Sequence, residues 1–411
     1  MSVMGEPPRI TNVRLENIRG FRDLDIPIAP DESCRGPCTL FIGKNGTGKT
    51  TILRSIALGF AGIDGAVLLR EPLGRPYVST SAHHGTIAIE TSKGPLPALL
   101  LSAKMDSAST IRPDPPNGAP WPEPELWVFG YGAGRSGQGS VPLQLNSPQA
   151  LDSVRSLFNY GSGLVDAELT LRRLRDYLDE GSYEGLLAAI TKALGLNEMD
   201  QFDLPLRGGV ELSGPTFGRT LRLEALPDGF RLTMAWMMDM MARALQSKAI
   251  TADGDIEGIL LLDEVEQHLH PSMQLEMLPR LRQQFPKLQI FATTHSPLVA
   301  LSVRPEELVS LRRNDDVSVD KVDVPNYAGY SAEDMLVDSA LFGTKDVYAP
   351  EMNDRLRRYR ELVAIPPEKR DREQSATIKD LAAVLLSRTP PQDRESESTR
   401  LIRELLAKRG I

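Results

Sequence analysis

Residues Gly43-Lys44-Asn45-Gly46-Thr47-Gly48-Lys49-Thr50 fit the pattern G-x-x-x-x-G-K-[ST], whose residue types and spacing serve phosphate binding. Gly43, Gly46 and Gly48 let the backbone curl until successive N–H groups point inward at phosphate oxygens. A helix starting directly afterwards adds the positive end of its dipole. Lys49 supplies charge to the outer phosphates, the hydroxyl of Thr50 is placed to coordinate Mg²⁺, and Thr51 continues the loop into the helix. The alternative is a plain glycine turn ahead of a helix.

A second group lies far along the chain. The apolar run Ile259-Leu260-Leu261-Leu262 ends in Asp263-Glu264. It reads as a buried strand with two carboxylates at the carboxyl edge of a sheet, where ligands of open α/β folds bind. Asp263 suits the shell of a Mg²⁺ ion, and Glu264 is then positioned to orient and deprotonate an attacking water. Otherwise both acids cap the next helix. His295 follows the strand-like LQIFATT, in Thr293-Thr294-His295-Ser296-Pro297. A histidine there can donate a hydrogen bond to a γ-phosphate and so sense its presence. Its place one strand–helix–strand unit after Asp263 separates it from an ordinary structural histidine. His268 and His270, in EQHLHP, fit structural or dimer-contact roles better than a metal site, and His83 and His84 carry no motif.

To bring Lys49 and Asp263 together the chain needs a sheet. Residues 10 to 28 alternate apolar and polar positions on either side of Gly20, which predicts an antiparallel hairpin. Thr39 to Ile42, the glycine loop, and Ile52, Leu53, Ile56 and Ala57 read as strand, loop and helix. Short strand-like pieces such as Thr86 to Glu90 fill residues 61 to 125, which end in the Pro-rich PDPPNGAPWPEPE, a surface loop. The strand LWVFGY follows. Residues 148 to 195 are expected to be helical, with Leu171, Leu174 and Leu178 on a buried face and Arg172, Arg173 and Arg175 on a solvated or partner-binding one. From 221 to 313 buried strands alternate with helices, as in a parallel sheet. The methionines at 234, 237, 238, 240 and 241 are expected to be core packing. The boundaries drawn are 1–147 and 206–345 for the two parts of one core, 148–205 for a helical insertion, and 346–411 for a charged helical tail that reads as a docking element.

Composition bounds what this core can serve. The 411 residues exceed what one hydrophobic core usually organises, and 41% hydrophobic with 25% charged residues is ordinary for a folded protein. A net charge of −8 argues against a generally basic nucleic-acid-coating protein, so DNA contact lacks support from charge. Cys34 and Cys38, the only cysteines, match neither a zinc half-site with its second half nor a redox pair, and read as reduced loop thiols. No secretory signal and no membrane-spanning stretch are legible, which points to the cytoplasm and away from the membrane.

The order LENIRGF, GKNGTGKTT, FGYGAGR, LPDGFR, LLLDEVEQHLHP and TTHSP resembles the bacterial AAA-family ATPases of ABC type that sit near the OLD, RecF and SMC proteins. That resemblance covers about residues 8 to 345. It implies an α/β P-loop NTPase of ABC-ATPase type, with a mixed sheet, an N-terminal antiparallel β-hairpin and a helical insertion. It further implies ATP and Mg²⁺ as ligands and a homodimer, or a higher oligomer, that sandwiches ATP, each phosphate loop facing the other chain's signature segment. Leu226-Pro227-Asp228-Gly229-Phe230 lies where that signature belongs, so Asp228 and Gly229 are carried over as nucleotide-binding. Pro227 departs from the pattern by standing where a serine is usual, and the missing hydroxyl puts rapid ATP-dependent closure in doubt. Arg19 is by resemblance near the phosphates, and Arg135 falls on a loop linking nucleotide to insertion; either could instead make a structural salt bridge.

The function expected is an ATP-hydrolysing switch for a separate effector such as a nuclease. The anti-phage or mobile-DNA defence context rests on the resemblance alone. The alternatives are a DNA-repair or chromosome-maintenance ATPase of RecF/SMC type, and a scaffold that holds ATP with slow turnover.

Overall fold

A computed structural model describes residues 8–30, 36–70, 76–102, 110–114, 127–135, 140–141, 151–203, 209–251, 254–344, 350–366 and 369–387. The chain divides into two compact units, Met1–Gly343 and Thr344–Ile411.

The first unit opens with the hairpin β1 (Ile10–Ile18) and β2 (Phe21–Pro27), where Val13 faces Ile26 and Leu15 faces Leu24. All four are buried, and a one-residue slip would turn them to solvent, which pins the register. β3 (Cys38–Gly43) is buried along its whole length, as a central parallel strand covered on both faces must be. It runs through the glycine loop into α1 (Lys49–Ala61). β4 (His84–Thr91), β5 (Ala98–Ser102) and β6 (Thr110–Asp114) extend the hairpin into an antiparallel sheet of order β2-β1-β4-β5-β6.

β7 (Val128–Tyr131) leads to α2 (Ala167–Tyr177), α3 (Glu180–Ala193) and the long α4 (Asp228–Ser247). There follow β8 (Gly258–Leu262), α5 (Pro271–Gln284), β9 (Leu288–Thr293) and the short α6 (Pro297–Leu301). β10 (Leu308–Arg313) and β11 (Val319–Val322) close the second sheet, whose order is β11-β10-β3-β9-β8-β7. Its pairs are parallel except β10 with β11.

Alternate residues of these central strands divide two cores between them. Leu40, Ile42, Leu260, Leu262 and Ile290 join α4 and α5 on one face. Phe41, Ile259, Leu261 and Phe291 join Ile52 and Ile56 of α1 and the antiparallel sheet on the other. Met234, Met237, Met238, Met240 and Met241 are all fully buried, their unbranched side chains filling space beneath the sheet.

Two expectations are corrected. Cys38 is a buried first residue of β3 and not a loop thiol, because it joins the apolar side of a central strand; burial pushes its thiol up to about 12. Cys34 and most of the Pro-rich stretch lie outside the described residues. Residues 151 to 158 do not start a helical layer but form turns, one of them a 3₁₀ turn at Arg155–Leu157, that cover the edge strand β7. The Ser153 carbonyl accepts from Gly130 N at 2.8 Å. The Ser153 and Ser156 hydroxyls donate to the Val128 and Gly130 carbonyls at 2.6 and 2.8 Å. An edge strand needs partners for its outer backbone groups, and these serines supply them. The helices begin only at α2 and α3, capped by Asp166 and Asp179. On α2, Leu171 and Leu174 are buried and Leu178 is packed partly against the same core. Arg172 pairs with Glu168 at 2.8 Å, Arg173 is exposed, and Arg175 lies over the Tyr183 ring.

The second unit contains α7 (Pro350–Val363) and α8 (Arg372–Ser387), packed on one another. Arg370 donates to the Val363 and Ile365 carbonyls at 2.7 Å, closing the first helix, and Asp371 and Gln374 cap the second reciprocally. Among the described residues no helix is long and apolar enough to cross a membrane.

Buried Asp239 of α4 ties the layers together. Its carboxylate accepts from Tyr131 of β7 at 2.9 Å and from the Val165 amide at 2.7 Å, with Arg243 at 3.7 Å. Burial raises its pKa. Asp239→Ala strands two buried donors and is expected to cost about 2–4 kcal/mol, read as a lower urea midpoint; an unchanged midpoint would remove this linkage.

Candidate nucleotide site

The parallel register decides where chemistry gathers. Phe41 of β3 sits opposite Thr293 of β9, and Ala292 of β9 opposite Leu262 of β8. The three strands end together, so the glycine loop, Asp263-Glu264 and Thr294-His295 emerge side by side at one sheet edge.

Within the loop, Gly43, Gly46 and Gly48 all have positive φ. At Gly48, φ is 83° and a side chain would strike the Phe21 ring at 2.6 Å, so the tight entry into α1 admits only glycine. The Thr47 hydroxyl donates to the Lys44 carbonyl at 2.9 Å, closing the curl. Lys49 is buried, and its ammonium donates to the Gly43 and Lys44 carbonyls at 2.8 and 3.4 Å. Burial pushes Lys49 down to about 8, against the pull of Asp263, Glu264 and Glu266.

Across the edge, the Thr50 hydroxyl donates to the Asp263 carboxylate, 3.0 and 2.9 Å from its two oxygens. Thr293 Oγ1 donates to Asp263 at 2.7 Å and accepts from Glu264 N at 2.8 Å, so one hydroxyl orients both acids. Glu264 is held at φ 49°, a left-handed conformation costing a non-glycine residue roughly 1–2 kcal/mol. Burial first, then Asp263 and Glu266, raise its carboxyl pKa. His295 is half-buried; burial and then Lys49 lower its pKa, keeping the imidazole neutral at pH 7.

Lys49, Thr50, Asp263, Glu264 and His295 line one cavity of about 940 Å³. Arg19, Asn45, Gly46, Thr47, Gly48 and Thr51 are also on its wall. Arg19 NH1 reaches Thr51 Oγ1 at 3.4 Å and its guanidinium lies 5.2 Å from the Tyr77 ring. Gly43 and Lys44 stand behind that wall and lend carbonyls to Lys49. Asp228 and Gly229 lie apart from it, at the head of α4. Asp228 is exposed and paired with Arg231 at 2.7 Å, while a side chain at Gly229 would meet the His268 carbonyl at 2.6 Å. His270 caps α5 through Ser272.

Three residues were not singled out from sequence. Glu266 accepts from the Thr294 hydroxyl at 2.7 Å and from the His295 amide at 2.6 Å, fixing the loop that carries the histidine. Thr293 read only as the end of a strand. Tyr160 presents a ring 57% exposed at the cavity wall. The sole sequence signal for Glu266 was an acid two residues beyond the Asp-Glu pair.

Phosphate fits a curl that glycine keeps clear of side chains and a buried ammonium. A hydroxyl and a carboxylate are hard oxygen donors suited to Mg²⁺, which binds through one or two protein oxygens plus phosphates. Among the described residues there is no cluster of three or more His, Cys, Asp or Glu to hold a metal alone.

Residues 113–302 match the family described as "AAA domain, putative AbiEii toxin, Type IV TA system", and residues 12–92 match one described as "AAA domain". One match carries the phosphate loop and the other the Asp263-Glu264 strand and His295, so each half of the site is similar to AAA domains. Septu protein PtuA of Bacillus mycoides (strain KBAB4) is 26% identical to this chain over 387 residues, covering 92% of this chain and 50% of that protein. The Retron Vc95 probable ATPase of Vibrio cholerae serotype O1 biovar El Tor is 24% identical over 169 residues, 41% of this chain and 33% of that one. The chain thus spans half or less of the length of these relatives. The SMC head domain from Thermotoga maritima aligns with a TM-score of 0.42 at 15% identity, over 77% of this chain and 99% of that domain.

The Glu266 contacts carry a prediction. Glu266→Ala removes two charge-assisted bonds, worth about 1.5–3 kcal/mol each before relaxation. Faster hydrogen exchange at the His295 amide is expected, with a lower melting temperature. Unchanged exchange there would mean the loop is held by other contacts.

Proposed function

We propose that this chain binds Mg²⁺–ATP in the 940 Å³ cavity and hydrolyses it as a nucleotide-gated switch for a separate effector, in bacterial defence against phage or mobile DNA. The convergence of Lys49, Thr50, Asp263, Glu264 and His295 on that cavity carries the reading. The Septu and retron names of its relatives support the defence context, and the cytoplasm is its place of work.

Each residue has a role on this reading. Loop amides of residues 43–51 and the Lys49 ammonium take the β- and γ-phosphates, with Arg19 beside them. Burial has lowered the Lys49 pKa to about 8, which still leaves the ammonium mostly charged at neutral pH, and a triphosphate beside it raises the pKa again. Thr50 and Asp263 hold Mg²⁺, which when bound neutralises charge on the phosphates. Glu264, with its carboxyl pKa raised, orients an in-line water and takes its proton. Neutral His295 donates to the γ-phosphate.

Asp228 and Gly229 stand away from the chain's own cavity, which suits contact with nucleotide held by a second copy, an ATP-sandwich homodimer. The second unit, Thr344–Ile411, is the proposed docking element for the effector. Pro227, whose ring offers no hydroxyl to a γ-phosphate, favours a second reading: a scaffold with slow turnover.

Phosphate release and ATP binding decide between the two. Glu264→Gln is expected to keep ATP affinity and lose about 10²-fold or more in turnover. Lys49→Ala should weaken ATP binding by roughly 10- to 100-fold. Equal phosphate release by wild type and Glu264→Gln would leave the scaffold reading; full ATP affinity in Lys49→Ala would remove the phosphate-loop role.

A further inference from the structure

Arg135 belongs to none of the groups that line the cavity, yet it is buried to 6% exposure directly behind the two acids. Its guanidinium donates through NH1 to the Asp263 carbonyl and through NH2 to the Glu264 carbonyl, the latter at 2.9 Å. NH1 also reaches the Gly132 carbonyl at 3.2 Å, and the Arg135 amide donates to the same carbonyl at 3.1 Å, folding the turn back on itself. Two carbonyls in sequence present their oxygens to one planar fork only if the backbone between them turns out of the extended form. Glu264, at φ 49°, makes that turn.

The turn carrying Arg135 is itself fixed. A side chain at Gly132 would strike the Ser156 carbonyl at 2.3 Å, and one at Gly134 the Tyr160 Cβ at 2.5 Å. The Gly132 amide is bonded to Ser156 Oγ at 3.3 Å. Gly-Ala-Gly is therefore pressed against residues 156–160, and Arg135 projects from a rigid base. The Asp263 carboxylate has separate supports in Thr50 and Thr293. The Glu264 carboxylate has none among the bonds described, so its aim depends on its backbone, held at the amide by Thr293 Oγ1 and at the carbonyl by Gln267 N and Arg135.

We propose that Arg135 is a positioning residue for hydrolysis: its guanidinium fork holds the Glu264 backbone in the left-handed conformation that aims the carboxylate into the cavity. The inference rests on the hydrolysis reading above. Lysine, a point charge without a planar fork, cannot replace the two parallel bonds.

Full-length wild type, Arg135→Ala, Arg135→Lys, Glu264→Gln and the Arg135→Ala/Glu264→Gln double variant are compared in steady-state phosphate release at saturating Mg²⁺. Melting curves accompany each. Misaim of a reacting group by about an ångström costs on the order of 10²-fold. Arg135→Ala is therefore expected to lose roughly 10- to 100-fold in kcat with KM for ATP within about threefold of wild type. Arg135→Lys, which keeps charge and bulk and guards against a folding failure of the alanine variant, should recover little of that loss. In the Glu264→Gln background, removing Arg135 should cost nothing further, because it acts through a group already disabled. Wild-type kcat in Arg135→Ala, full rescue by lysine, a loss confined to KM, or an undiminished further loss in the double variant each overturns the assignment. A wild type that releases no phosphate defeats the hydrolysis reading and this inference with it, whereas an active wild type matched by Arg135→Ala defeats this inference alone.

Discussion

Three parallel strands ending flush, β3, β9 and β8, are the constraint from which the rest of the site follows. Lys49 and Asp263 are far apart in the chain, and only the pairing of Phe41 with Thr293 and Ala292 with Leu262 makes their loops neighbours. The register is enforced by burial on both faces. Leu40 and Leu260 must face α4 and α5 while Phe41 and Ile259 face α1, so a slip by one residue would exchange the two cores along with the loops.

At that edge the sheet concentrates charge that burial makes costly. Lys49 and Arg135 face Asp263, Glu264 and Glu266, an excess of carboxylate in a partly dry place. Burial lowers Arg135 to about 10, which still leaves it charged at neutral pH. Hydroxyls of Thr50 and Thr293 stabilise the Asp263 carboxylate, and the Thr294 hydroxyl and His295 amide stabilise Glu266. Glu264 lacks comparable side-chain donors among the described bonds, and its carboxyl pKa is raised. A polar edge so arranged accommodates a divalent cation and polyphosphate together better than either alone.

Much of this was legible in the sequence because the chemistry there is encoded locally. Gly46-x-Gly48-Lys49-Thr50 announces a phosphate curl, and an unbroken apolar run of four before Asp263 reads as a strand covered on both faces, as β8 is. The histidine was readable through its position relative to that strand. What stayed hidden depends on contacts remote in sequence. Ser153 and Ser156 look like ordinary loop serines, and their service to the edge of β7 is apparent only once Val128 and Gly130 are known to need partners. Arg135 was placed on a linking loop, but nothing in its neighbours reveals that its fork reaches two carbonyls. Cys38 misled because a cysteine close after Gly36 and Pro37 resembles loop composition, while its side chain belongs to the core.

On the proposed function, one Mg²⁺–triphosphate site lies at this strand edge, with the metal between Thr50 and Asp263. Anomalous diffraction from crystals grown with Mn²⁺ and a non-hydrolysable ATP analogue tests it directly. A single manganese peak is expected within bonding distance of Thr50 Oγ1 or an Asp263 carboxylate oxygen, with the β- and γ-phosphates against Lys49. Density for the nucleotide elsewhere on the chain, or manganese bound away from both residues, would contradict it.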